Sequence, residues 1–247
     1  MSLKIIDTFS GIGGFSYAAE KLVGGFETVA FVECEPYCQK ILKKHWPNVP
    51  IYDDIKSYNP EPYSADVVCG GFPCQDISVA GQGKGITEET RSGLFYELMR
   101  VVRLVRPKFI VLENVAAILN NGLGIVLGEL AQAGFDCEYA CIPASALGAC
   151  HIRDRWWLVA YPRGEGLQRP NIKEMERTIW PQSPTRRLNP NWRQYKSEPV
   201  LYRGDDGLSN WIHRTKALGN SIVPQVAAIP LQRVKELSLL QNVTMQS

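Results

Sequence analysis

The chain has 247 residues and a mass of 27.6 kDa, the size of one domain or of one large domain with a small insertion. Its 45% hydrophobic residues, 21% charged residues and formal net charge of +2 describe a globular protein and exclude a disordered tail or a histone-like polycation. No segment reaches the roughly 18 consecutive apolar residues of a membrane span, and a strand-like run begins near the N-terminus, so neither a membrane span nor a signal peptide is expected.

Apolar runs alternate with amphipathic stretches over the first 160 residues. The predicted strands are Lys4–Phe9, Glu27–Glu33, Ala65–Cys69, Lys108–Leu112, Asp136–Ile142 and Trp156–Ala160. The predicted helices lie near Phe15–Leu22, Pro36–His45, Gly93–Val105 and Leu123–Ala133. Strands separated by helices indicate an α/β fold, with a mostly parallel sheet and helices on both faces.

Glycines cluster where the first predicted strand turns into the first helix, at Gly11, Gly13 and Gly14. Such a turn lets the backbone approach a ligand closely, and the following helix N-terminus favours polar or anionic groups. Glu33, at the end of the second strand, stands where it could accept hydrogen bonds from a ribose diol. The spacing is not G-x-G-x-x-G, so a nicotinamide oxidoreductase is a poor match. Plain turn chemistry is the alternative interpretation.

A second rigid turn follows the third predicted strand, where Gly70 and Gly71 precede Phe-Pro-Cys-Gln. Pro73 fixes its own φ angle, so Cys74 is expected on a rigid loop at the carboxyl edge of the sheet, where doubly wound folds place their sites. A thiolate at that position can act as a nucleophile. The alternative is a buried loop cysteine without a chemical role.

The seven cysteines are odd in number and form no C-x2-C pair. Two pairs are spaced four residues apart, namely Cys34 with Cys38 and Cys137 with Cys141. This pattern argues against a disulfide framework or a zinc ribbon, and no metal site is predicted. Most of these cysteines are expected to be free, buried thiols that pack as small apolar side chains.

Charged side chains follow two further predicted strands. Glu113 comes directly after Lys108–Leu112, and Arg153 and Arg155 precede Trp156–Ala160 with a spacing that puts both on one face if the backbone is extended. Together with Cys74 they suit covalent attack on an electron-poor ring, in which an acid protonates a ring nitrogen and an arginine holds a carbonyl oxygen. A surface charge or a helix cap is the alternative for Glu113.

The basic charge of the chain is concentrated between Arg163 and Lys216, which hold 11 Lys and Arg against 6 Asp and Glu. This stretch also contains Trp180, Trp192, Trp211 and five prolines, without a clear apolar period. It is predicted to be a small, irregular lobe that contacts nucleic acid, the alternative being a solvated excursion. The predicted division is a main domain of residues 1–162 and 210–247 and a lobe of residues 163–209.

The C-terminal stretch is predicted to be a tight turn followed by a helix. The apolar face of that helix would return to the main core through Val223, Val226, Ala227 and Leu231.

Six ordered segments of this sequence resemble the motifs of the DNA (cytosine-5) methyltransferases. They are DTFSGIGGFS, GGFPCQDIS with SVAGQGKG, RSGLFYEL, ENV, HIRDR and GNSIVPQVA. The resemblance covers most of the chain and implies the Rossmann-like fold of S-adenosylmethionine-dependent methyltransferases. It also implies double-stranded DNA as substrate, a monomer, and a cytoplasmic protein of prokaryotic or phage origin, with a cognate restriction endonuclease as a candidate partner.

The resemblance implies S-adenosylmethionine as the cofactor. Phe9 would stack on the adenine, Glu33 would bind the ribose hydroxyls, and Asp54 and Ile55 would lie near the adenine edge. The other implied cofactor residues are Gly11 and Gly13 at the methionine moiety, Gly14 in the same turn, and Leu94, Asn220 and Ser221, which would close the pocket.

The resemblance also implies a catalytic cycle. Cys74 attacks C6 of a flipped-out cytosine while Glu113 hydrogen-bonds N3 and the exocyclic amine; C5 takes the methyl group, and loss of the C5 proton expels the thiolate. Arg155 would hold the base O2, and Arg153 would support the loop and the intermediate. Pro73, Gln75, Arg186 and Arg187 are the candidate DNA contacts.

Three features depart from the family pattern. His151 stands where the family usually has Gln, Cys34 follows Glu33 where a bulkier residue often covers the adenine, and RGDDGLSN takes the place of an Arg-rich ninth motif. Two alternatives stay open: an enzyme of the same chemistry that acts on RNA, and a pseudo-enzyme that binds DNA or cofactor without turnover.

Overall fold

The computed structural model describes residues 2–73, 93–164, 219 and 221–244. The strands in these ranges are β1 (Leu3–Thr8), β2 (Phe26–Val32), β3 (Ile51–Tyr52), β4 (Val67–Gly71), β5 (Phe109–Val115), β6 (Phe135–Pro143) and β7 (Asp154–Pro162). The α-helices are α1 (Gly14–Tyr17), α2 (Pro36–His45), α3 (Leu94–Val105), α4 (Leu123–Gln132) and α5 (Pro224–Thr244). A π-helical stretch, Ala18–Val23, continues α1, and Ala116–Leu119 and Ala144–Leu147 are 3₁₀-helical.

The strands form one mixed sheet in the order β3-β2-β1-β4-β5-β7-β6. The pairs from β3 to β5 are parallel, whereas β7 is antiparallel to both β5 and β6. The chain runs outward from β1 through β2 to β3 and then returns to β4 on the other side of β1. Ligands of such sheets bind at the carboxyl ends of the strands that flank this reversal, which here are β1 and β4.

The sheet carries helices on both faces, as predicted, because successive residues of each strand point to opposite sides. On one face, Ile6, Val68, Ile110 and Leu158 pack with residues of α3 and α4. On the other face, the neighbouring residues Ile5, Val67, Val111 and Val159 pack with Phe15 of α1 and with α5.

The C-terminal helix α5 packs on the main core, as its apolar pattern predicted. Val226, Ala227 and Leu231 are buried, while Val223 precedes the helix and is half-buried. Arg233 anchors the helix to β6 through Glu138, with an Nε–Oε1 distance of 2.6 Å. Among the helices of the described ranges, none combines the length and the apolar character needed to cross a membrane.

One strand was not predicted from the sequence. The sequence pattern missed β3, because a two-residue strand shows no period.

The prediction that most cysteines are buried is wrong. None of the six described cysteines forms a disulfide, and only Cys38 and Cys69 are buried; Cys137 and Cys141 lie half-buried on the edge strand β6. The lobe boundaries stay a prediction, because residues 165–218 lie outside the described ranges.

Candidate active site

The turn after β1 is held by its own polar groups. The Ser10 hydroxyl donates to the Asp7 carbonyl at 2.5 Å, and the Ser10 carbonyl accepts the Gly13 N–H at 2.8 Å. Phe9 sits in this turn with a φ of 51°, in the left-handed region that side chains rarely adopt. The turn therefore presents Phe9 and Gly11 at the carboxyl edge of the sheet.

The three glycines of the turn differ in what surrounds them. A Cβ on Gly13 would lie 2.7 Å from the Trp46 ring, and one on Gly14 would lie 2.9 Å from Cβ of Ile222, so close packing requires glycine at both positions. A Cβ on Gly11 would meet no described atom within 4 Å. Among the described residues, the open space beside this turn is therefore at Gly11, whereas Gly13 and Gly14 let the turn pack.

Glu33 lies beside Gly11 and is nearly buried. Its Oε2 accepts the Gly11 N–H at 2.6 Å, and its Oε1 accepts the Glu35 N–H at 2.7 Å. Because a carboxylate oxygen has two lone pairs, each of these oxygens keeps an acceptor site for a hydroxyl group. The carboxylate is thus fixed in place and still able to bind a diol.

Three apolar side chains of the predicted cofactor pocket belong to one hydrophobic cluster or pack against it. Ile55 is buried in it, and the half-buried Phe9 and Leu94 pack against it. Asp54 lies at the surface, where its carboxylate accepts the Lys56 N–H at 2.9 Å. An apolar cluster, a fixed carboxylate and open space at Gly11 together fit the base, ribose and tail of S-adenosylmethionine.

Glu113 lies at the carboxyl end of β5, opposite Gly71 in the parallel register of β4 and β5. Its Oε1 is 3.1 Å from Nε of Arg155. Burial raises the pKa of Glu113 to about 7, while the positive charges of Arg155 and Arg153 oppose this rise. The Glu113 side chain is only 13% exposed and the residue lies within β5, so it is neither a surface charge nor a helix cap.

Arg153 departs from the extended backbone on which the one-face prediction depended, since its φ is 31°. The assumption of an extended backbone is therefore wrong. Both arginines nevertheless line one pocket, Arg153 from the residue before β7 and Arg155 from β7 itself. Nη2 of Arg153 donates to the Ser221 carbonyl at 2.6 Å, and Nη1 to that of Gly219 at 3.0 Å. The open pocket has a volume of about 500 Å³, and its other lining residues are His151, Ser221 and Val223.

Cys74, Gln75, Asn220, Arg186 and Arg187 lie outside the described residues, so their predicted roles stay predictions.

The backbone that leads into Cys74 is described up to Pro73. Asn114 is buried, and its Nδ2 donates to the Phe72 carbonyl at 3.1 Å. Phe72, which follows β4 and lies two residues before Cys74, is thereby tied to the strand that carries Glu113.

Sequence reasoning missed the environment of Asp7. This carboxyl is fully buried; its Oδ2 accepts the Ser16 hydroxyl at 2.7 Å, and its Oδ1 has no hydrogen-bond partner among the described residues. Burial raises its pKa to about 7, and the Ser16 hydrogen bonds oppose the rise. The sequence signal is an Asp that directly follows two isoleucines inside the first predicted strand.

Comparison with known sequences identifies the family to which the chain belongs. Residues 3–206 match the model of the C-5 cytosine-specific DNA methylases. Type II methyltransferase M.AquIA of Picosynechococcus sp. is 31% identical over 79% of this chain and 85% of its own length. M.CviJI of Paramecium bursaria Chlorella virus IL3A is 32% identical over 65% of this chain, and M1.HphI of Haemophilus parahaemolyticus is 33% identical over 71%. The chain spans about half the length of these last two relatives, 43% and 50%.

Solved structures agree on the fold. A mutant of Spodoptera frugiperda DNMT2 superposes with a TM-score of 0.55 and 22% identity, over 69% of this chain and 52% of that one. The S. pombe Dnmt2 methyltransferase gives a TM-score of 0.54 and 18% identity, over 67% and 51%. With its sheet order, its carboxyl-edge site and its sequence match in agreement, the chain belongs to the C-5 cytosine-specific DNA methylase family.

Proposed function

We propose that this chain is a site-specific DNA (cytosine-5) methyltransferase that uses S-adenosylmethionine and a covalent intermediate on Cys74. The observation that carries the proposal is the position and protonation of Glu113. This carboxyl lies opposite Gly71, three residues before Cys74, and its pKa is raised to about 7 by burial. A carboxyl that is partly protonated at neutral pH can donate a proton to N3 of a cytosine.

The bond changes can be followed on the base. The Cys74 thiolate forms a bond to C6, and the electron pair of the C5–C6 double bond moves into the ring as Glu113 protonates N3. C5 then becomes nucleophilic and forms a bond to the methyl carbon, whose bond to the cofactor sulfur breaks. Transfer of the C5 proton to solvent re-forms the C5–C6 double bond as the sulfur–C6 bond breaks and releases the thiolate, and N3 returns its proton to Glu113.

The other described residues hold the reacting groups. Arg155 contacts Glu113 and lines the pocket, where its guanidinium can bind the base carbonyl oxygen. Arg153 ties this pocket to the chain segment at Ser221. Because C6 is inaccessible in a stacked duplex, the target cytosine has to leave the helix and enter this pocket.

The cofactor supplies an electrophilic methyl group. Phe9, Ile55 and Leu94 would hold its adenine, Glu33 its ribose, and the open space at Gly11 its methionine moiety.

Mechanism-based trapping tests the proposal. DNA with 5-fluorocytosine at the target should form a stable adduct with the enzyme when S-adenosylmethionine is present, because fluorine cannot leave as the proton does. Cys74→Ser should abolish the adduct, while Cys150→Ser, which changes an exposed thiol of the described residues, should leave it intact. An adduct that survives in Cys74→Ser, or that maps to another cysteine, contradicts the assignment.

The substrate is tested separately. Expression in cells without cytosine methylation, followed by bisulfite sequencing, should show 5-methylcytosine at one short DNA site. Incorporation of methyl label into RNA but not into DNA would support the RNA alternative, and no incorporation into either would support the pseudo-enzyme.

A further inference from the structure

Arg100 on α3 makes more polar contacts than the motifs of the sequence explain. Its Nε contacts Oε2 of Glu97 at 2.7 Å, and its Nη1 donates to Oδ1 of Asn59 at 2.8 Å. Its Nη2 lies within hydrogen-bond distance of three carbonyl oxygens, those of Ile55 at 2.5 Å, Tyr58 at 3.0 Å and Lys56 at 3.2 Å. One guanidinium thus binds most of a single loop.

That loop, residues 53–59 and called here the post-β3 loop, begins directly beside Glu33. The Glu33 N–H donates to the Tyr52 carbonyl at 2.8 Å, which ties the start of the loop to β2. Arg100 ties the other end to α3. The loop is therefore fixed from both sides at the edge of the sheet where the ribose and the base are proposed to bind.

The side chain that this loop contributes is Ile55. It is buried in the cluster against which Phe9 and Leu94 pack. Its own carbonyl is the shortest contact of Arg100. Without the guanidinium, the converging carbonyls would turn towards water, because polar backbone groups need partners, and Ile55 would move with them.

We propose that Arg100 is a positioning residue for S-adenosylmethionine, which fixes the post-β3 loop so that Ile55 forms one wall of the adenine pocket. The inference rests on the proposed cofactor site. Arg100 touches neither the base nor the cofactor in this assignment; it acts through the loop backbone. Leu94 and Arg100 both belong to α3, so one helix supplies a pocket wall and the group that holds the opposite loop.

Arg103 offers a matched control on the same helix. It also forms an ion pair, with Glu129 of α4, but it makes no described contact with the post-β3 loop. The variants are therefore Arg100→Ala, Arg100→Lys and Arg103→Ala. Phe9→Ala tests the pocket itself.

Two measurements do not require turnover. Calorimetry with S-adenosylhomocysteine should show a loss on the order of tenfold for Arg100→Ala, the equivalent of one or two net hydrogen bonds, a smaller loss for Arg100→Lys, and none for Arg103→Ala. Hydrogen exchange of the cofactor-free protein should be faster at the Ser57 and Tyr58 amides, which donate to the Asp54 carbonyl, in Arg100→Ala only.

Steady-state kinetics should likewise show that Arg100→Ala affects cofactor binding and not the chemical step. Arg100→Ala should raise KM for S-adenosylmethionine, while kcat at saturating cofactor stays within about twofold, because the reacting groups are untouched.

Each other outcome counts against the proposal. If Phe9→Ala weakens S-adenosylhomocysteine binding and Arg100→Ala does not, the role of Arg100 is wrong and the pocket stands. If neither variant weakens it, the proposed cofactor pocket itself is wrong. Parallel losses of cofactor affinity, DNA affinity and melting temperature in Arg100→Ala and Arg103→Ala would show general destabilisation instead. Should Arg100→Ala fail to fold, Arg100→Lys and Glu97→Gln are measured, each with an expected smaller loss of cofactor affinity.

Discussion

The surroundings of Glu113 act on its protonation in opposite directions. Burial favours the neutral acid, and the contact with Arg155 favours the carboxylate; the result is a pKa raised to about 7. A fully paired carboxylate would be a poor proton donor, and an unpaired buried acid would stay protonated at every working pH. The arrangement places the acid where it can both give and regain a proton.

Glu113→Gln should lower the single-turnover rate on the order of 10²- to 10⁴-fold while leaving DNA affinity nearly unchanged, since the amide cannot supply the proton. In the wild type the protonated fraction falls as pH rises through about 7, so the rate should decline on the alkaline side. Arg155→Ala removes a charge that lowers this pKa and should move the decline to higher pH. A Glu113→Gln rate equal to the wild type would refute the proton-donor role.

Asp7 should make the stability of the protein pH-dependent. Its pKa is about 7 in the folded protein and 3.8 ordinarily, so between these values the unfolded chain releases a proton that the folded chain retains. Stability therefore falls as pH rises through this window and is constant above it.

Asp7→Asn removes that titration and keeps an oxygen to accept from Ser16. Compared with the variant, the wild type should lose up to about 3 kcal/mol of unfolding free energy between pH 5 and pH 8. Urea titrations at the two pH values measure this difference, and parallel pH dependence of both proteins would contradict it.

At the scale of elements, the packing of β4 against α3 depends on Gly70. A Cβ there would lie 2.5 Å from Cδ1 of Leu98 and 2.6 Å from Oγ1 of Thr8. Gly70→Ala should therefore destabilise the fold by about 1–3 kcal/mol through overpacking. Gly128→Ala is the matched control, because its Cβ meets no described atom within 4 Å and it lies within α4. It should stabilise by about 0.5–1 kcal/mol. Equal melting temperatures for the two variants would show that β4 can shift.

The helices and strands also show how much of the fold can be predicted from the sequence alone. The bounds of six strands and four helices were predicted to within three residues, with α1 and the π-helical stretch after it counted as one helix, because their apolar runs are long enough to show a period. Strand direction is not encoded in such a run, so the antiparallel placement of β7 was not predicted. The first predicted helix, Phe15–Leu22, covers the π-helical stretch Ala18–Val23, but its π geometry was not predicted. The site motifs were found, but Arg100 was not, since its partners are backbone carbonyls that carry no sequence signal.

At the scale of the whole molecule, distant parts of the chain meet because parallel strands end at one edge. The turn after β1, Glu33 after β2, the post-β3 loop, Gly71 and Glu113 all lie at carboxyl ends. The antiparallel β7 contributes to the same edge through its start, at Arg155. Its end, at Pro162, is paired with Phe135 at the opposite edge, and the described chain resumes at Gly219, which Arg153 binds. The described residues on either side of the segment 165–218 thus lie at the far edge of the sheet and at the active site.

Arg186 and Arg187 are the best candidates for DNA contacts in that segment. Replacing both by Ala should weaken DNA binding and flatten its salt dependence, by up to about two units of slope if both meet phosphate. Binding isotherms over a series of salt concentrations give the slope. An unchanged slope and affinity would assign both arginines to a solvated turn.

The lobe of residues 163–209 should determine which DNA sequence is methylated. The core has to accept any flipped cytosine, so it can hold little information about the neighbouring bases, whereas groove-reaching side chains can. Exchanging this lobe for that of a relative with a different known target should transfer that target, as read by bisulfite sequencing. Cofactor binding, measured with S-adenosylhomocysteine, is the control for a folded core. A folded and active chimera that still methylates the original site would place recognition in the core or in the C-terminal segment.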